Sequence, residues 1–105
     1  MTERDVARKT IFTYDEAAAL LPEIRELTEE AYLKVEALGT GADDRVQRIV
    51  VAWAEAMIAK GLEVKGLWLV DFDNGSGYYC WRFPEVGLHF YHSYEDGFDG
   101  RTRIQ

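Results

Sequence analysis

The sequence predicts an α+β domain in which a helical hairpin packs on a three-stranded antiparallel β-meander. Apolar residues recur at helical spacing from Leu20 to Met57, interrupted around Gly39-Thr40-Gly41. From Gly66 the pattern changes to short aliphatic and aromatic runs. Those runs are separated by Asp73-Asn74-Gly75-Ser76-Gly77 and Pro84-Glu85-Val86-Gly87, which have the composition of turns.

Residues 1–10 read as a flexible polar arm, and residues 11–105 as one domain. Thr13 followed by Glu16 fits a capping box, in which the threonine hydroxyl accepts from the Glu16 N–H and the glutamate reaches back. Asp15 and Glu16 suit the positive end of the helix dipole. Pro22 lacks a donor and crowds the preceding turn, which predicts a kink or short break. Beyond it Ile24, Leu27, Ala31, Val35 and Leu38 form one stripe. Asp43 or Asp44 is expected to cap a second helix, with Val46, Ile49, Val50, Trp53 and Met57 as its apolar face. Gly61 suits the left-handed position that ends it, and Leu62 can fold back onto Met57. Strands are expected over residues 67–72, 78–83 and 88–92, with an irregular tail beyond.

The 105 residues fit one domain, and 48% hydrophobic with 30% charged residues is a globular balance. A formal net charge of -7 argues against nucleic acid and anionic membrane surfaces as partners. No apolar run approaches the roughly 18–20 residues of a membrane span. One cysteine, Cys80, cannot build a disulfide framework. With no signal peptide at the N-terminus, this predicts a reducing, cytoplasmic setting. No cofactor motif is present.

The turns suggest a register in which Asp71 faces Tyr79, and Tyr79 faces His92. Leu67, Leu69, Tyr79, Trp81, Phe83, Leu88 and Phe90 then share one face, and Trp68, Val70, Phe72, Tyr78, Cys80 and Arg82 the other. Both faces are rich in large apolar residues, and two helices cover only one. The tail, a ligand or a second copy must cover the other, and a homodimer is the expected outcome.

Chemistry centres on His92. A carboxylate such as Asp71 can orient its ring for acid–base work, although the pair also serves as a structural anchor and no nucleophile stands beside it. In this register Cys80 falls on the opposite face. His89, His92 and Glu95 have helical ligand spacing, but on a strand residues 89 and 92 point apart, so no metal site is expected. Arg82 beside Trp68 suits a cation–π stack or a carboxylate ligand. Trp81 reads most simply as core. The tail from His92 to Arg101 frames Phe98 with Gly97 and Gly100, which suits either a packed strap or an anion site.

Phe12-Thr13, Glu16-Ala17, Leu20-Leu21-Pro22, Val70-Asp71-Phe72, Cys80-Trp81-Arg82, His92 and Gly97-Phe98-Asp99-Gly100-Arg101 resemble the bacterial family called domain of unknown function 2203. The resemblance runs from about residue 11 to 101, with Trp68-Leu69, Asp73, Pro84-Glu85 and Tyr91 departing from its pattern. It implies no activity. It directs attention to Asp71, Trp81, Arg82, His92, Gly97, Phe98 and Arg101. The reading is a small protein-interaction or ligand-binding module with Arg82, Trp81, Tyr79, Phe98 and Arg101 as ligand contacts. The alternatives are a hydrolase or lyase using His92 and Asp71 with an anion-binding arginine, or a metal-binding protein.

Overall fold

A computed structural model describes residues 10–104, so the predicted arm lies, but for Thr10, outside the described residues. Helix α1 (Tyr14–Leu38) opens on the expected capping box: Thr13 Oγ1 accepts from the Glu16 N–H at 3.1 Å, and Glu16 Oε1 accepts from the Thr13 N–H at 2.9 Å. The predicted break at Pro22 is absent, and the helix runs on through it. Burial of Ala17, Leu21, Ile24, Thr28 and Ala31 along one face outweighs the one lost backbone bond.

Helix α2 (Asp43–Ala59) begins at Asp43 itself, with Ala42 in the capping position and no side-chain cap. The two aspartates act on the helix dipole from inside the first turn rather than as caps. Its end follows expectation. Gly61, at φ 95°, donates to Ile58 C=O (2.9 Å), and the Leu62 N–H donates to Met57 C=O (3.1 Å), which is a Schellman ending. A Cβ at Gly61 would lie 2.8 Å from the Thr10 side chain, so glycine is required there twice over.

The helices are joined in the core by a polar contact. Trp53 Nε1 donates to Thr28 Oγ1 at 2.8 Å, and both residues are buried. Thr28→Val keeps the shape and removes the acceptor. It should cost about 1–3 kcal/mol, because the indole N–H is left buried and unpaired. Urea unfolding followed by tryptophan fluorescence measures it, and an unchanged midpoint would contradict this packing.

The sheet has five strands, not three, in sequential antiparallel order: β1 (Glu63–Gly66), β2 (Leu69–Asp73), β3 (Tyr78–Arg82), β4 (Phe90–His92) and β5 (Thr102–Arg103). The extra strands lie at the edges. Leu67 and Trp68, expected to open a strand, instead form the β1–β2 turn, with Trp68 at φ 60°. A tryptophan there is strained. Its indole is buried against Trp53 (4.9 Å) and within reach of Tyr32 (6.4 Å), which offsets that strain.

Both predicted registers are off by one residue. Asp73 pairs with Tyr78 and Phe72 with Tyr79 across β2–β3, and Tyr78 pairs with His92 and Tyr79 with Tyr91 across β3–β4. The second connection is longer than four residues, with Leu88 turned into the core and its carbonyl accepting from the Tyr14 hydroxyl at 3.0 Å. A one-residue slip reverses the face of a strand. Val70, Phe72, Tyr79 and Trp81 therefore share the inner face and pack with the helices. Leu69, Asp71, Asp73, Tyr78, Cys80, Arg82, Phe90 and His92 share the outer one. The tail, one of the three covers considered for this second apolar face, lies over it: Tyr94 packs on Tyr78, Arg101 on Phe90 and Phe98 near Arg82.

Candidate functional site

The outer face buries polar groups. Asp71 is 1% exposed, Asp73 2% and His92 4%, and Cys80 is fully buried between them. Asp71 comes from β2, Cys80 stands opposite it on β3, and His92 lies one pair further along on β4. Lys65 reaches over from β1, and Asp96 and Phe98 close the top from the loop beyond β4. Together they enclose a pocket of about 230 Å³. A larger groove of about 320 Å³ lies between the helices, lined by Leu27, Ala31, Ile49 and Trp53, and it holds no cluster of buried ionisable groups.

His92 Nδ1 lies 2.9 Å from the Ser93 carbonyl oxygen, and Nε2 lies 2.9 Å from Asp71 Oδ2. A carbonyl oxygen only accepts, so Nδ1 carries a proton. One further proton must lie between Nε2 and Oδ2, and it belongs to the pair rather than to either residue. Asp71 Oδ2 is also 3.8 Å from Lys65 Nζ, and the Cys80 thiol hydrogen-bonds the carboxylate, whereas Oδ1 is buried with no N–H or O–H donor among the described residues. Burial raises the Asp71 carboxyl above its ordinary range, against the pull of His92, Cys80 and Lys65. The neighbouring Asp73 is well supplied: its Oδ1 accepts from Tyr94 Oη (2.7 Å) and the Gly75 N–H (2.9 Å).

Burial, reinforced by Asp71 and opposed by Arg101, pushes the Cys80 thiol up to about 12. The unfolded thiol ionises near about 8.5. Between those values the unfolded chain loses a proton that the folded chain keeps. This contribution to stability is therefore complete below the unfolded value and declines as pH rises towards 12. Urea midpoints between neutral and alkaline pH should fall more steeply for the wild type than for Cys80→Ala. Parallel curves would contradict a sealed thiol.

Arg101 holds the cover down. Its guanidinium makes a two-pronged ion pair with Glu85, and its central carbon lies 3.9 Å from the Phe90 ring centroid and 4.0 Å from that of Phe98. Glu85 Oε1 also accepts from the Arg82 N–H, and its carbonyl accepts from Trp81 Nε1, both at 2.9 Å. The strap is thereby tied to the inner core through one residue. A Cβ at Gly77 would lie 2.7 Å from the His92 carbonyl oxygen, so β4 seats closely only over glycine.

The sequence-derived set divides between the two faces. His92 and Asp71 meet, and Cys80, expected on the opposite side, joins them. Phe98 and Arg101 meet in the strap, and Arg82 joins them more loosely, 5.4 Å from the Phe98 ring, rather than stacking on Trp68. Trp81 lies in the core, and Tyr79 packs on Tyr14 at 5.5 Å, so both lie away from the pocket. Lys65 and Glu85 were missed. The alternation Glu63-Val64-Lys65 is the signal for the first, and Glu85 carries none beyond its place in a turn.

A model of the family described as Uncharacterized conserved protein (DUF2203) matches residues 34–104, a span that contains every residue of this pocket. No curated protein and no solved structure matches the chain. Among the described residues, no helix is long and apolar enough to cross a membrane.

Proposed function

The chain belongs to the DUF2203 family, whose description carries no activity, and we propose from its own geometry that it is a small cation-binding domain with its site beneath the 93–101 strap. The carrying observation is the buried Asp71 carboxylate on a pocket lined also by Cys80 and His92: its Oδ1 has no N–H or O–H donor among the described residues, and the Cys80 thiol that hydrogen-bonds the carboxylate is a weak donor. Such an oxygen is costly unless something donates to it or coordinates it.

The donors around it are engaged. His92 Nδ1 is directed at the Ser93 carbonyl, Arg101 at Glu85, and Lys65 lies 3.4 Å from Glu63 Oε1. Lys65 is held among carboxylates and Arg101 is occupied by Glu85, which weighs against the anion-site reading of Arg101. A cationic group finds Asp71 within, with Asp96 at the mouth. A hydrolase or lyase reading draws less support. His92 is sealed, both its ring nitrogens are engaged, and the only thiol present is held far from its ionised form.

Thermal melts with methylammonium chloride or zinc chloride, each against matched sodium chloride, test the reading. At least one should raise the wild-type midpoint by several degrees at about hundredfold excess over its dissociation constant. Asp71→Asn should abolish the rise. No rise with either, or an equal rise in the variant, would contradict it.

A further inference from the structure

We propose that the cation is a divalent transition metal of the zinc or cobalt type, held by Asp71, Cys80 and His92 with one position left open towards the pocket. This rests on the cation-binding reading above and goes beyond it, because an amine would serve that reading equally well.

The donor set decides between them. One ligand atom from each of the three residues lies within 4.8 Å of the others, and all three residues are buried. Zinc ligands at about 2.0–2.3 Å in a tetrahedron stand about 3.3–3.7 Å apart, a spacing that small side-chain rotations reach from here. A carboxylate, an imidazole and a thiolate suit zinc and cobalt and do not suit magnesium or calcium, which take oxygen ligands. An ammonium group gains nothing from the sulfur.

The outer shell fits as well. A metal-bound histidine donates its other ring N–H to a carbonyl or carboxylate, which fixes the tautomer. His92 Nδ1 does so to the Ser93 carbonyl at 2.9 Å and leaves Nε2 for the metal. The charge also balances. Binding sends to solvent the thiol proton of Cys80 and the proton between His92 and Asp71. Two protons leave and one dication enters, so the site is neutral before and after, as burial demands. A single cysteine is no obstacle, since the other ligands come from neighbouring strands of one face.

Lys65 is the group that opposes the metal, 3.8 Å from Asp71 Oδ2. A dication beside that oxygen meets it as a like charge, and Lys65→Met should tighten metal binding by about tenfold. A lysine serving only to balance Asp71 in the fold would not have this effect.

The test is a cobalt titration of the full chain, purified without a histidine tag and kept in a phosphine reductant. The expected result is one cobalt per chain, with intense visible bands of tetrahedral cobalt and a near-ultraviolet thiolate-to-cobalt charge-transfer band. Zinc should displace it, Cys80→Ser should lose the charge-transfer band, and Lys65→Met should bind more tightly. A band that survives in Cys80→Ser, or a site that takes methylammonium but gives no cobalt spectrum, overturns the metal while leaving the cation reading standing. If neither cobalt nor methylammonium binds, both fall.

Discussion

Replacing Asp71 with alanine is expected to destabilise the folded chain by about 3–5 kcal/mol. Asp71 is 1% exposed, and its Oδ2 lies 2.9 Å from His92 Nε2. The ring is pinned on its other side by the Ser93 carbonyl, so it cannot turn to find a new partner. Alanine leaves His92 either charged without a counter-ion or neutral with an unpaired nitrogen. Asp71→Asn should recover much of the loss, because the amide N–H can donate to a neutral Nε2. A double-mutant cycle of Asp71→Ala with His92→Leu, read by urea unfolding, should give a coupling of about 1–3 kcal/mol. Additive losses would mean that the two residues act independently, and the shared proton would have to be abandoned.

Trp81→Ala is expected to be as damaging, at about 3–5 kcal/mol, a large part of the stability of a domain this size. Trp81 is fully buried on the inner face. Its truncation opens a large cavity under β3 and removes the indole N–H bond to the Glu85 carbonyl. Glu85 is also the partner of Arg101, so the effect should cross the sheet and loosen the strap. Hydrogen exchange of residues 93–101 should therefore quicken more in Trp81→Ala than in Thr28→Val, which lies between the helices. Equal exchange in both would contradict the link through Glu85. Trp81→Phe, which keeps most of the volume but loses the donor, separates the two effects.

How far the sequence reveals this arrangement depends on the range of the interaction. The α1 start and the α2 end were legible because the capping box and the Schellman ending are local, each written in a few neighbouring residues. The β1–β2 turn was hidden because Leu67-Trp68 carries no turn residue; the strain at Trp68 is balanced by burial against Trp53, a contact fifteen residues away. Without that turn, β1 was invisible, and Lys65 with it. β5 was missed because its two residues pair only once β4 is in place.

The meeting of Asp71 and His92 was foreseen through two errors that cancel. Each hairpin is shifted by one residue, and two reversals of face return Asp71 and His92 to the same side. The residue between them does not survive the correction: Tyr79 leaves and Cys80 takes its place. The cancellation preserved the histidine–carboxylate pair and concealed the thiol, so only the pair was legible in the sequence. The cover was half legible. Two glycines framing Phe98 suggested a strap, but its anchor on Glu85 depends on the path of the loop between β3 and β4, which turn composition does not specify.

An anomalous-difference map from crystals grown with cobalt tests the central claim most directly. The account predicts one strong peak beneath the strap, about 2.0–2.3 Å from an Asp71 oxygen, Cys80 Sγ and His92 Nε2. Peaks confined to surface carboxylates, with the His92–Asp71 contact unchanged at full cobalt saturation, would contradict it.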